Sequence, residues 1–310
     1  MHLLNVKNFA EAYSSVLDLV YNNPDYVTSP RGMPIKECLR VCVEIEDPRS
    51  NLFTCLADKK LTMPTGYTKK EIALYLSGTE SAKLFAAAAP FWGKIKTPEN
   101  TVNSAYGNLV FRKTDALEGI TQFQWVCSKL VQDKDSRQAY MLFNRPEHQY
   151  DANADVPCTL SEAFHIRNNK LYATTTMRSN DLVSGFVHDI PSFMLFQWLV
   201  YSCLKYKYPY LELGSYSHNV YSLHLYEKDF ELTEARLKAG LAPRAFPYPE
   251  NCCVIQSQDI AVILARKFNL QDWEGLEHLA ATYALPPPQD VLNKSWIYPE
   301  NTEFYNWLLK

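Results

Sequence analysis

The sequence predicts an α/β or α+β fold in which a large mixed sheet is flanked by helices. Two observations carry this. Short β-branched runs recur between longer helical segments along the whole chain, with no internal repeat or low-complexity stretch. At 310 residues and 47% hydrophobic, the chain can also bury a sizeable core. Gly-rich phosphate loops are absent, so a nucleotide-binding fold of the P-loop type is not expected.

The elements follow in order. Residues 1–60 mix apolar runs with turn signals at Asn22-Asn23-Pro24 and Ser29-Pro30-Arg31-Gly32. Leu39 to Ile45 is β-branched, bounded by Pro34 and Pro48, and predicts a strand. Thr68 to Leu76 predicts a helix, with Thr68 as N-cap and Glu71 as the return partner of a capping box. Ala82 to Ala89 continues helical up to Pro90. Gln122 to Val131 predicts another helix, and Ala139 to Asn144 a strand. Phe164–Ile166 and Lys170–Met177 predict a hairpin turning at Asn168-Asn169, residues that tolerate left-handed backbone. Ser192 to Tyr206 predicts a helix buried on most sides, and Tyr221 to Tyr226 a strand. After Phe230 the chain turns polar and helical, interrupted by Pro243, Pro247, Pro249 and Pro286–Pro288. The expected division is a catalytic domain over 1–230 and an extension over 231–310.

Bulk charge narrows the partners. The chain carries 31 basic and 34 acidic residues, a net of −3. That balance argues against nucleic acid or a membrane surface as partner, because both demand a basic excess. The apolar stretch Phe193–Tyr206 is too short to span a bilayer, and no signal peptide is evident, so a cytoplasmic location is expected. The eight cysteines (Cys38, Cys42, Cys55, Cys127, Cys158, Cys203, Cys252 and Cys253) form no CxxC pair. Free thiols in a reducing compartment and no metal site are expected.

One cysteine has notable company. Cys158 sits in the loop Asp155-Val156-Pro157-Cys158-Thr159, ahead of the predicted hairpin. Alone, such a cysteine is more often packing than chemistry. Arg178-Ser179 follow the second hairpin strand, Arg137 follows Asp135-Ser136, and His224 and Tyr226 alternate onto one face of a strand.

Asp135-Ser136-Arg137, Pro157-Cys158, Met177-Arg178-Ser179-Asn180-Asp181, Gly185, Asp189 and Ser222-Leu223-His224-Leu225-Tyr226 stand in the order found in thymidylate synthases, which the chain resembles. Upstream, the run Glu71–Gly78 resembles the glutamate-bearing helix of that superfamily, and Ser104-Ala105-Tyr106-Gly107 its Tyr-Gly loop. The resemblance spans roughly residues 30–230. Cys158-Thr159, Met177–Asp181 and the run from Gly214-Ser215 to His224 look closer to the phage deoxycytidylate hydroxymethylases than to the synthases proper.

The resemblance implies a thymidylate synthase-like fold and a homodimer that acts on a pyrimidine nucleoside monophosphate with 5,10-methylenetetrahydrofolate as co-substrate. Cys158 would be the nucleophile, because a thiolate adds readily to C6 of the ring and leaves again; a guanidinium such as Arg178 would lower its pKa. Glu71 would organise water and move protons, and Tyr106 would stand at the reacting ring. Arg31, Arg178, Ser179 and, from a partner subunit, Arg137 would hold the phosphate, although Gln138 replaces the usual second arginine. His224 and Tyr226 would meet the sugar, and Asp181 the pterin. Asp189 stands where synthases carry Asn. A carboxyl group can accept from the cytosine amino group and, when protonated, donate to N3.

The expected reaction is therefore hydroxymethylation of dCMP, or of CMP. Water would add to the exocyclic methylene because the chain ends Asn306-Trp307-Leu308-Leu309-Lys310 rather than in the short apolar terminus of synthases. Methylation of dUMP or dCMP, and non-catalytic nucleotide binding, are the rival readings. Taken singly, Glu71 reads as a capping-box glutamate, Asp189 as a cap for a helix starting at Ser192, Arg31 as a surface arginine, and Tyr106, His224 and Tyr226 as ordinary packing or strand residues.

Overall fold

A computed structural model describes residues 1–112, 117, 119–248 and 307. Strand β1 (His2–Val6) leads into helix α1 (Phe9–Asn22), whose start is set by Asn8: its side chain accepts the Glu11 backbone N–H at 3.0 Å. Phe9, Tyr13, Val16, Leu17 and Val20 recur at helical spacing and form the buried stripe of α1. Strands β2 (Tyr26–Thr28) and β3 (Ile35–Ile45) follow, then β4 (Leu52–Thr54).

Helices α2 (Thr65–Ser77), α3 (Ala82–Ala88), α4 (Trp92–Ile95), α5 (Tyr106–Phe111) and α6 (Gln122–Gln132) form the middle of the chain. Strands β5 (Tyr140–Leu142), β6 (Thr159–Arg167), β7 (Lys170–Met177) and β8 (Asn180–Asp181) precede the long helix α7 (Phe186–Leu204) and the long strand β9 (Glu212–Tyr226). Helix α8 (Phe230–Ala239) and strand β10 (Ala242–Arg244) complete the described elements.

The main sheet runs β1-β3-β9-β7-β6-β5, with β2 beside β3 and β8 beside β9. It is mixed: β1 is parallel to β3 and β7 to β9, whereas β3–β9, β7–β6 and β6–β5 are antiparallel. Helices α1, α6 and α7 pack on one face, and α2 and α5 form a further layer over α7. Helix α7 is buried nearly all round, from Phe186 to Leu204. Its Phe193 and Phe196 join Tyr106, Phe111 and Phe143 in an aromatic cluster with centroids 5.1–6.4 Å apart. Truncating one such buried ring typically costs about 3–5 kcal/mol.

Several expectations hold and several shift. The hairpin forms as expected, with Asn168 and Asn169 at φ 48° and 59°. The strand expected at Tyr221–Tyr226 is the end of the much longer β9, and those expected from Leu39 and Phe164 start earlier, at Ile35 and Thr159. Helix α2 begins at Thr65 behind Pro64, so Thr68 is no N-cap; inside the helix its hydroxyl pairs with His188 Nδ1 at 2.7 Å. Helix α7 begins at Phe186 and accommodates Pro191, so Asp189 lies in its first turn and caps nothing at Ser192. Beyond Phe230, α8 packs on α1 and β10 pairs with β4, while the Trp307 ring meets that of Phe246 at a tilt, centroids 4.7 Å apart. The rest of the expected extension, with Cys252 and Cys253, lies outside the described residues.

Candidate active site

The parallel pair β7–β9 shapes the site. Crossing from one to the other through α7 brings the end of β7, the short β8, the first turn of α7 and the end of β9 together. Asn180 and Asp181 sit in register with Leu223 and His224. Loops after the carboxyl ends of parallel strands are a common place for ligands to bind.

Cys158 immediately precedes β6 and is half-buried. Its carbonyl accepts the Arg178 backbone N–H at 2.8 Å. The Arg178 side chain turns onto the same loop, donating from Nε to Pro157 O at 3.1 Å and from Nη2 to Val156 O at 2.7 Å. Asn144 Nδ2 donates to Pro157 O at 2.9 Å. On the other side, Asp155 accepts the Ser104 backbone N–H at 2.9 Å and the Ser104 hydroxyl. The Tyr106 hydroxyl accepts the Thr159 N–H at 3.2 Å. The residues on both sides of the sulfur are thus pinned to three separate elements.

Burial raises the Cys158 thiol pKa; Arg178, and more weakly Arg31, pull it down, while Asp189 and Asp155 add to the rise. Arg178 lowers the thiol pKa as expected, but desolvation outweighs the guanidinium and the net direction is upward. Arg178 braces the Cys158 loop and still offers donors, since a guanidinium carries five.

Asp189 acts on this thiol, and Glu71 acts on Asp189 in turn. Burial pushes Glu71 up to about 7, against hydroxyl groups of Tyr67, Tyr75 and Ser192 that favour its charged form. Tyr67 donates to Glu71 Oε1 at 2.8 Å and accepts the Trp92 indole N–H at 2.9 Å; Glu71 Oε2 has no protein partner among the described residues. Asp189 is raised well above its ordinary value by burial and by the Glu71 charge, opposed by the Asn180 amide. Both effects favour its protonated form.

Close packing explains two glycines. A Cβ on Gly107 would lie 1.9 Å from the Tyr75 carbonyl oxygen, so α5 can approach α2 only without a side chain there. A Cβ on Gly185 would lie 2.5 Å from Asn180 Oδ1 and 3.3 Å from Asp189 Oδ2.

The His224 and Tyr226 rings meet edge-on at 5.1 Å, on the shared face that strand alternation implies. His224 Nδ1 is buried without a hydrogen-bond partner among the described residues, and burial lowers the ring's pKa. Asp181 pairs with His224 across β8–β9 and accepts the Val183 N–H at 2.9 Å. Ser179 is half-buried beside Arg178, and Arg31 is exposed on the turn between β2 and β3 at φ 54°. Arg137 does not join them: it is exposed on the turn between α6 and β5, and among the described residues no hydrogen bond or charge interaction ties it to Cys158. Sequence reasoning missed Tyr67, Asn144 and the part played by Asn180. Only Tyr67 carried a signal, being one helical turn before Glu71.

This fold and this cluster define a thymidylate synthase-type α/β enzyme. The family model for thymidylate synthase matches residues 11–285, and the chain belongs to that family, whose members are folate-dependent one-carbon transferases using methylenetetrahydrofolate as co-substrate. It is 27% identical over 242 residues to the deoxycytidylate 5-hydroxymethyltransferase of Enterobacteria phage T4, covering 72% of this chain and 89% of that one. It is 24% identical over 197 residues to the thymidylate synthase of Bacillus atrophaeus, covering 63% and 82% respectively. Among solved structures, thermostable thymidylate synthase A from Bacillus subtilis shares the fold at TM-score 0.60 and 19% identity, over 79% of this chain and 87% of that one. No described helix is long and apolar enough to cross a membrane.

Proposed function

We propose that the chain hydroxymethylates a cytidylate, dCMP or CMP, at C5. The observation that carries this reading is Asp189, a carboxyl group in the first turn of α7 whose pKa burial and the Glu71 charge raise well above its ordinary value. A protonated carboxyl can donate to N3 of cytosine while its carbonyl oxygen accepts from the N4 amino group. Uracil demands the proton on the other carboxyl oxygen; with the proton fixed on the oxygen that faces N3, its N3–H would meet a donor and its O4 no donor. Leaving such an edge unpaired costs about 1–3 kcal/mol, at least roughly a tenfold preference. The similarity to phage T4 deoxycytidylate 5-hydroxymethyltransferase supports the same base.

In this reading Cys158 loses its proton as the nucleotide binds and adds to C6, which makes C5 nucleophilic. The folate, when bound, supplies a one-carbon unit at the oxidation level of formaldehyde. Glu71, poised near neutrality, takes and returns protons around the ring, with Tyr67 holding one of its oxygens. Tyr106 orders the start of β6, and so the direction of the sulfur. Expulsion of Cys158 after water has added to the exocyclic methylene restores the aromatic ring. Arg31, Arg178 and Ser179 would bind the phosphate and His224 and Tyr226 the sugar, the free His224 Nδ1 suiting a hydroxyl donor. Asp181, beside His224, would receive the pterin edge.

Arg137 would complete a partner's phosphate site in a homodimer. Two facts support this: its exposure far from the local cluster, and the outer face of the sheet. There Tyr172, Thr174 and Thr176 of β7 and Ser215, Ser217 and Asn219 of β9 stay half-exposed between fully buried neighbours.

The test compares C5-tritiated dCMP, CMP and dUMP with methylenetetrahydrofolate. Tritium release from a cytidylate, a product heavier by CH2O, and tetrahydrofolate as by-product are expected. A product heavier by CH2 with formation of dihydrofolate would make the chain a methylating enzyme. Nucleotide binding without tritium release would make it a non-catalytic relative.

A further inference from the structure

Away from the Cys158 site, three ligand-type side chains from separate segments meet at the edge of the sheet. His2 Nε2 of β1 lies 3.1 and 3.0 Å from the two carboxylate oxygens of Asp25, which precedes β2. The Cys38 sulfur of β3 completes the group, all three ligand atoms lying within 4.8 Å of one another. We propose that His2, Asp25 and Cys38 bind a divalent transition-metal ion, zinc by preference, with solvent as the fourth ligand.

The chemistry of the donors carries the assignment. Imidazole nitrogen, carboxylate oxygen and thiolate sulfur form a mixed set that suits zinc and neither calcium nor magnesium. Zn–N near 2.0 Å and Zn–S near 2.3 Å put neighbouring donors of a tetrahedral ion about 3.5 Å apart, so the group must contract by only about 1 Å. The outer ligands can supply that movement, since the His2 and Asp25 side chains are 24% and 32% exposed. Cys38 forms the floor at 0% exposure, its sulfur reaching the Asn23 carbonyl at 3.7 Å.

Thiolate and carboxylate together would match the charge of a dication. The ion would also have a mechanical effect. Asp25 and Cys38 bracket the β2–β3 hairpin, whose pairs run from Tyr26–Glu37 to Thr28–Ile35 and whose turn carries Arg31. Metal binding would tie β1 to the base of that hairpin. The assignment stands on these three residues and does not depend on the reading of the Cys158 site.

The test uses the full chain, stripped with EDTA and titrated with zinc sulfate and separately with cobalt(II). Expected are one zinc per chain, and in the cobalt form a sulfur-to-metal charge-transfer band with intense tetrahedral ligand-field bands. Cys38→Ser should abolish the charge-transfer band. His2→Ala and Asp25→Asn should each weaken zinc binding by about tenfold or more, while His2→Ala leaves tritium release unchanged. No stoichiometric zinc, or a thiolate band that survives in Cys38→Ser, would overturn the site. If Cys38→Ser does not fold, unchanged zinc affinity in both other variants overturns it equally.

Discussion

Tyr67 donates its hydroxyl to Glu71 Oε1 at 2.8 Å from one helical turn away, and the Trp92 indole N–H holds the same hydroxyl at 2.9 Å. This chain favours the charged form of a carboxylate that burial alone would keep protonated. Removing the hydroxyl with Tyr67→Phe should raise the Glu71 pKa further. A neutral-to-ion hydrogen bond is worth about 1.5–3 kcal/mol, so the apparent pKa on the pH–kcat profile should move up by roughly one to two units. An unchanged profile would detach Glu71 from the rate-limiting proton transfer.

Glu71→Gln gives a stability signature opposite to that of most carboxylates. The folded pKa, about 7, lies above the unfolded value near 4.5, so between those values the native state binds more protons than the unfolded state. Stability attributable to Glu71 is therefore full at low pH and is lost as pH rises toward and past 7, by roughly 3 kcal/mol at most. The glutamine variant should unfold at higher urea than the parent at pH 8, match it near pH 4.5, and lose turnover. Equal urea midpoints at pH 8 would contradict this.

Cys158→Ala should eliminate tritium release while nucleotide affinity, followed by calorimetry, changes little. The loop that carries position 158 is held by Arg178, Asn144 and Asp155 rather than by the sulfur. Retained turnover would remove the thiol from the reaction.

Asp189→Asn should move base preference toward dUMP by tenfold or more, since an amide can accept from the uracil N3–H and donate to O4. Competition between dCMP and dUMP measures it. Unchanged selectivity would move base recognition elsewhere.

Much of this candidate site was legible because Cys158, Arg178, Asp189 and His224 stand in short runs in a fixed order. Their roles in packing were not. Thr68 looks like a helix cap in sequence, yet the helix starts earlier and the hydroxyl serves His188 instead. Asp189 looks like a cap because Pro191 suggests a helix boundary, but α7 runs through that proline, buried on nearly every side. Arg178 announces a charge beside the thiol. Only the fold shows that desolvation exceeds its pull and that two of its donors are directed at backbone carbonyls. The start of β9 escaped notice because its Gly, Ser and Asn residues have weak strand propensity, and its neighbours β3 and β7 impose the extended form.

Gly107→Ala tests the contact between α2 and α5. The added methyl would meet the Tyr75 backbone carbonyl at 1.9 Å, and neither helix backbone can turn aside as a flexible side chain would. A loss of about 3 kcal/mol or more, or failure to fold, is expected in thermal or urea melts. A variant as stable as the parent would mean the two helices can separate.

The position of β9 has a kinetic consequence. It is inserted between β3 and β7, strands that precede it by more than thirty residues on either count, and it carries His224 and Tyr226 at its far end. Until β9 emerges during synthesis, β3 and β7 each present an unpaired edge, and the two halves of the sheet have nothing joining them. Such distant pairing slows folding and exposes sticky intermediates. Competence to bind should therefore arise as one of the last events in maturation, and chaperone dependence should concentrate in the interval before residues 212–226 are seated.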